Sequence, residues 1–177
     1  MALTLAQKQT LKTHALANQA TVNASAGVAT IASLFAAQSL NSGDAQLISD
    51  WYNALTSPAV YSWHFSRSRM DNRRAIMNVA GAGNQLDGLT QGKRDSLIFG
   101  LDDTIDCRLV AVRTTIEDWC GSQNTLKAAI LDSFKRQMNN LENVFATGTG
   151  SFAAPKDGTF QGTTSGSEIS DVFGVTV

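Results

Sequence analysis

The chain has 177 residues, with 14 basic and 15 acidic side chains, so its formal net charge is −1. This length suits one domain with a buried core, and the near-zero charge argues against a protein dedicated to nucleic-acid binding. Two cysteines in 177 residues exclude a disulfide-stabilised scaffold. The 23 alanines and only two prolines favour helices.

The first third of the chain predicts helices separated by clear stop signals. Thr4 and Gln7 fit a capping box that begins the first helix. A second helix is predicted over the Ala-rich residues 20–40, and a third from Asp44 to just before Pro58, since the residue preceding a proline disfavours the helical conformation. No basic and apolar leader is visible at the N-terminus, so we expect no signal peptide, and no stretch is apolar enough to predict a membrane span.

The middle of the chain changes its hydrophobic period and then returns to helix. Every second residue of 59–65 is Ala or aromatic, which predicts a short strand or extended segment, although seven residues also fit the first turn of a helix. A helix is predicted over 67–80, with Met70, Ile76, Met77 and Val79 directed inward. Two more helices are expected to begin at caps, one at Thr90 and one at Asp106.

The clearest amphipathic pattern predicts one long helix after Gly121. Its apolar residues recur at spacings of four, four, four, three and four, at Leu126, Ile130, Phe134, Met138, Leu141 and Phe145. Together these elements predict a mostly α fold, a multi-helix bundle over residues 1–146 with the possibility of short β segments.

Composition changes at Thr147. Residues 147–177 contain six Gly, six Thr and four Ser, and such a segment buries little apolar surface of its own. We therefore predict a long extended C-terminal arm that is held either by its own bundle or by neighbouring subunits, with a helical turn or two over 167–173. The residues expected to serve assembly are Thr147, Gly148, Gly150, Phe152, Phe160, Ile169, Val172 and Phe173. On this interpretation, deletion of 147–177 leaves the bundle folded and abolishes assembly.

No pattern of residues predicts catalysis, a metal or a cofactor. In the sequence, His14 and His64 have no Cys, Asp, Glu or second His at metal-ligand spacing. The two glycine-rich stretches, residues 81–86 and 148–151, do not fit a nucleotide-binding fingerprint. Asp102, Asp103 and Asp106 cluster between two predicted helices, where capping explains aspartate better than a cation site does. We expect no catalytic residue. A small-ligand domain, or an enzyme whose site is assembled from distant parts of the fold, is kept as a less favoured alternative.

One basic concentration stands out, formed by Arg67, Arg69, Arg73 and Arg74. It is either a solvated surface or a contact for an acidic partner or for nucleic-acid phosphates, in which case binding would be salt-sensitive and independent of sequence.

From its middle onward the chain resembles a family of small structural proteins of tailed bacteriophages, the head-to-tail adaptor or neck proteins. The resemblance lies in the segments Leu89–Arg94, Ile105–Arg108, Leu141–Ser151, Phe160–Gly162 and Ile169–Val172, together with Pro155 and the extended stretch around Trp63. These motifs are architectural and not catalytic.

The resemblance implies a helical subunit of a homo-oligomeric ring, 12-fold in such families, between the portal protein and the tail or nozzle. The arm over 147–177 would reach an adjacent subunit or the portal. DNA would pass through the lumen with at most non-specific contact, and the protein would be assembled in the bacterial host cytoplasm and located in the neck of the virion. A tail terminator or a minor capsid protein of the same particle is the alternative role.

Overall fold

A computed structural model describes residues 2–26, 42–79 and 82–174. Within these residues the prediction of a mostly α chain with short β segments is confirmed. The helices are α1 (Leu5–Ala17), α2 (Gln19–Ala26), α3 (Ser42–Asn53), α4 (Arg69–Met77), α5 (Ala82–Asp87), α6 (Gln91–Gly100), α7 (Val110–Cys120), α8 (Asn124–Ser133), α9 (Asn140–Val144) and α10 (Gly166–Gly174). The strands are β1 (Tyr61–Trp63), β2 (Lys135–Gln137), β3 (Ala146–Thr147) and β4 (Asp157–Gly158), which pair as β1 with β2 and as β3 with β4.

The chain divides into two compact units, both discontinuous in sequence. The first unit comprises residues 1–60, 137–148 and 158–177, and the second comprises 61–136 and 149–157. This division differs from a bundle over 1–146 followed by an arm over 147–177. The reason is that the Gly- and Thr-rich C-terminal residues still carry enough apolar side chains to complete a core within their own chain.

The first unit is built on α1, α3 and α10. Thr4 and Gln7 form the predicted capping box at the start of α1. The core contains Leu11, Ile48, Tyr52, Leu141 and the α10 side chains, and it includes no residue of the second unit. The helix predicted over 20–40 is described as far as Ala26, and residues 27–40 of that prediction lie outside the described ranges.

The second unit packs its helices around α8. Its core includes Leu97 and Leu101 from α6 and its C-cap, and Ile116 and Cys120 from α7. Leu126 and Ile130 of α8 and Phe134, which follows α8, complete it. Cys107 and Cys120 are both free and buried. Since α7 begins at Val110, Cys107 lies before the helix, and Asp106 does not cap it as expected.

The long helix predicted after Gly121 is wrong. α8 ends at Ser133, and residues 135–137 form β2, which pairs with β1. Asn139 then begins α9 with a capping box that involves Glu142. The apolar residues at helical spacing are nevertheless buried, Leu126, Ile130 and Phe134 in the second unit and Leu141 in the first, because a short strand between two helices preserves the pattern.

The orientation predicted for the helix over 67–80 is also wrong in part. Ile76 and Val79 pack in the second core, whereas Met70 and Met77 are exposed. The helix begins only at Arg69, after the cap at Ser68, and its buried polar residue Asn72 faces the backbone of residues 101–103.

Candidate interaction surfaces

Arg67 serves the fold of the second unit and does not project as a surface contact. Its guanidinium donates to the backbone carbonyl of Ser133 at the end of α8 and, at 3.0 Å, to that of Asp71. Its backbone pairs with Ile105 through hydrogen bonds of 3.0 and 3.1 Å. Because Arg67 precedes α4, it does not lie on the same helix as the other three arginines of the basic concentration.

The other three predicted arginines lie on α4 and differ in how fully their charge is satisfied. Arg69 Nε lies 2.8 Å from Asp102 Oδ1, and Arg73 contacts the same carboxylate oxygen. Arg74 is 69% exposed and reaches Asp71 only at 3.9 Å. This side of α4 therefore presents three guanidinium groups against two carboxylates.

The aspartates between α6 and α7 act locally. Asp102 pairs with Arg69 and Arg73 of α4, and Asp103 accepts a hydrogen bond from the Thr104 amide at 2.7 Å. Asp106 pairs with Arg108 at 2.6 Å, and the hydrogen bonds from Arg108 lower the pKa of the Asp106 carboxyl. Within the described ranges no group of three or more potential metal ligands is brought together.

His14 lies on α1, and Nδ1 of its ring is 3.2 Å from the hydroxyl of the buried Tyr52. Burial lowers the pKa of His14 and raises that of Tyr52. His14 also lines an open groove of about 590 Å³, whose described lining carries no acidic group and no thiol.

The predicted assembly residues of the C-terminal segment are largely buried within their own unit. Ile169, Val172 and Phe173 pack from α10 into the first core, and the Phe160 ring contacts the Phe145 ring in a tilted arrangement with centroids 5.5 Å apart. These four side chains fill the interior of their own chain in this structure.

Polar side chains hold the backbone that leads into α10. The side-chain amide of Asn53 bonds both backbone groups of Thr164. Its Nδ2 donates to the Thr164 carbonyl at 2.8 Å, and its Oδ1 accepts from the Thr164 N–H at 2.9 Å. Glu168 accepts from the Leu3 amide at 2.7 Å and from the Thr164 hydroxyl at 3.2 Å. The C-terminal segment is therefore recognised at specific backbone groups as well as by apolar contact.

Buried Glu142 holds the loop around Gly162, which precedes α10 in the first unit. Its carboxylate accepts from the Asn139 amide at 3.1 Å and from the Gly162 amide at 2.9 Å, while Asn139 Nδ2 donates to the Gly162 carbonyl at 2.9 Å. Gly162 has a φ of 155°, and a Cβ there would lie 3.3 Å from the Phe160 ring.

The remaining predicted arm residues lie in turns. Thr147 and Gly148 are exposed at β3, and Gly148 and Gly150 have φ values of 109° and 80° that favour glycine. Phe152 is partly exposed in the second unit, with Lys135 Nζ 4.4 Å from its ring centroid and the Tyr61 ring at 5.1 Å.

Arginine side chains lie over two aromatic rings of the segment 59–65, a feature that sequence reasoning missed. Arg108 lies 3.8 Å from the ring centroid of Phe65, and Arg113 lies 4.2 Å from that of Trp63. The two-residue alternation of these rings was visible, but their cationic partners lie more than 40 residues away, so the fold alone brings them together.

Large apolar side chains are exposed on three helices of the second unit, and they were also missed. Phe99 on α6 is 84% exposed and Met77 on α4 is 79% exposed, while Val110 at the start of α7 is 67% exposed. An apolar cleft of about 270 Å³ separates α4 from α6 and is lined by Ile76, Met77, Ile98 and Leu101 among others. A second cleft, of about 220 Å³, lies between α6 and α7, where Trp119 packs against Gly100.

In the part of the chain that is described, no helix has the length and apolar character required to cross a membrane. Comparison of the whole chain with protein-family models, with curated protein sequences and with solved structures finds no match in any of the three.

Proposed function

We propose that the chain is a structural subunit of a tailed-bacteriophage virion, a head-to-tail connector that assembles into a closed ring. The observation that carries this proposal is the set of large apolar side chains exposed on the second unit, at Met70, Met77, Ile98, Phe99, Leu109 and Val110. Met77 and Ile98 also line one apolar cleft, and exposed apolar surface of this kind is typical of surfaces that other chains cover.

The use of the Leu141–Ser151 segment supports the same proposal. Leu141 and Glu142 are buried, and Gly148 and Gly150 adopt positive φ values in the turns that follow. The residues that carry the family resemblance thus act as architecture, as expected of ring subunits without chemistry of their own.

In this proposal the ring contacts the portal protein on one side and a tail or nozzle protein on the other. The family resemblance implies 12 subunits, a position in the virion neck and assembly in the host cytoplasm. DNA passes through the lumen, and a chain with net charge −1 has little long-range attraction for it.

The proposal is tested on the purified full-length chain by light scattering coupled to size exclusion and by electron microscopy of the same sample. We expect closed rings and binding to the cognate portal protein. A chain that stays monomeric at every accessible concentration would contradict the proposal. A virion reconstruction that places the protein away from the portal would favour the tail-terminator or minor-capsid role instead.

A further inference from the structure

Two helices of the second unit each expose a face that combines apolar and charged side chains. On α4 the face, here called the basic face, consists of Met70, Arg73, Arg74 and Met77 at positions i, i+3, i+4 and i+7. On α7 and its N-cap residue the face, here called the acidic face, consists of Leu109, Val110, Thr114, Glu117 and Asp118. Each face has the width and composition of a helix surface that packs against another helix.

The basic face keeps an excess of positive charge after its internal pairs are counted. Arg69 and Arg73 share Asp102, and Arg74 is only weakly paired with Asp71 at 3.9 Å. Arg74 is the guanidinium on this face that is most available to a carboxylate from outside.

The acidic face has two carboxylates available to a partner. Glu117 and Asp118 are exposed, and neither side chain forms an ion pair with any residue in the described ranges. Lys93 approaches Asp118 but donates, at 2.7 Å, to its backbone carbonyl.

The two faces belong to helices on different sides of α6. One apolar cleft lies between α4 and α6 and the other between α6 and α7, so α6 is flanked by the helices that carry the two faces. A contact between two different patches is heterologous, and such a contact generates a ring when the rotation between copies closes.

We propose that the acidic face of α7 in one copy of this chain packs on the basic face of α4 in the next copy, and that this contact builds the ring. The inference rests on the proposed function and names its subunit interface. The exposed Met70 and Met77 favour a protein partner over nucleic acid, because methionine side chains gain from apolar cover and not from phosphates. Opposite charges on the two faces set the direction of the contact and disfavour pairing of like faces.

The test reverses one charge on each face of the full-length chain, in the variants Arg74→Glu and Asp118→Arg. Each variant alone places like charges across every contact, and we expect the concentration for half-assembly to rise at least about tenfold. An equimolar mixture of the two variants, and the double variant Arg74→Glu/Asp118→Arg, restore opposite charges at each contact and should assemble like the unmodified chain. Asp95→Arg, an exposed charge reversal on α6 outside both faces, is the matched control and should assemble normally.

Sedimentation velocity measures assembly, and circular dichroism checks that each variant is folded. If the unmodified chain forms rings and both single variants form them equally well, the proposed interface is wrong, although the connector role is still possible. A loss in both single variants without recovery in the mixture would also overturn it. If Arg74→Glu weakened binding to DNA and left assembly unchanged, the basic face would be a nucleic-acid contact instead. If the unmodified chain never assembled, the proposed function and this inference would both be wrong.

Discussion

Burial decides what individual polar residues do in this chain. Glu142 is 1% exposed and holds two backbone amides, whereas Glu117 is exposed on α7. Arg67 similarly serves two backbone carbonyls, while Arg74 projects. The sequence shows four clustered arginines but cannot separate these roles, because the partners of Arg67 include the carbonyl of Ser133, which only the fold brings near.

Replacing Glu142 with Gln should destabilise the protein by about 1–3 kcal/mol, because one of the two backbone amides then faces an amide group in place of a carboxylate oxygen. Urea denaturation measures the change in the free energy of unfolding. The control is Asp95→Asn, an exposed change outside both proposed contact faces, for which we expect at most about 0.5 kcal/mol. Equal effects of the two substitutions would show that the buried network contributes nothing specific.

His14 should make stability depend on pH. Burial lowers its pKa from the ordinary value of 6.5, so below pH 6.5 the unfolded chain binds more protons than the folded chain. The contribution of neutral His14 is therefore present above pH 6.5 and is lost as the pH falls through the lowered folded-state pKa. Thermal unfolding of the unmodified chain and of His14→Gln at pH 7.5 and pH 5.5 checks this, since the variant should lose less stability on acidification.

Secondary-structure elements were predicted well where local signals agreed and poorly where pairing between distant segments decided. The capping box of α1, the short strand β1 and the helix near the C-terminus are all as expected. The apolar spacing after Gly121 predicted one helix, yet pairing of β2 with β1 interrupts it. Alternation within one segment cannot reveal a strand partner about 70 residues away in sequence.

Close packing of α6 against α7 depends on the last residue of α6. A Cβ at Gly100 would lie 2.4 Å from Cζ3 of the Trp119 ring, so Gly100→Ala must displace the indole. We expect destabilisation by about 1–3 kcal/mol from overpacking.

The matched control is Gly92→Ala, in the first turn of the same helix, where an added Cβ meets nothing within 4 Å. This substitution should stabilise the chain by about 0.4–1 kcal/mol, because alanine restricts the unfolded state more than glycine does. Guanidinium denaturation of both variants compares them directly. A neutral Gly100→Ala would mean that Trp119 moves without cost.

At the scale of the whole molecule, composition misplaced the boundary between the parts. The Gly- and Thr-rich segment appeared unable to support itself, which holds for the segment in isolation. Its Ile169, Val172 and Phe173 are nevertheless buried against α1 and α3. Composition averages over a segment, whereas packing depends on a few apolar side chains at helical spacing.

Ending the chain after Ser165 should therefore unfold the first unit while the helices α6 to α8 persist. Removal of α10 takes away three buried apolar side chains and leaves Leu3 and Lys8 without their α10 partners Glu168 and Asp171. Hydrogen exchange measured by mass spectrometry should show loss of protection in α1 and α3. Asp171→Ala, which removes only an exposed charge, is the control, and unchanged protection of α1 and α3 in the truncated chain would restore the arm interpretation.

The discontinuity of the two units also has a consequence for synthesis on the ribosome. The polypeptide passes between the units four times, after residues 60, 136, 148 and 157. By residue 157 every residue of the second unit has been made, whereas the first unit waits for Phe173. A nascent chain therefore leaves the apolar side chains of α1 and α3 without their partners until α10 has emerged, so the synthesis of α10 is the event that completes the first core.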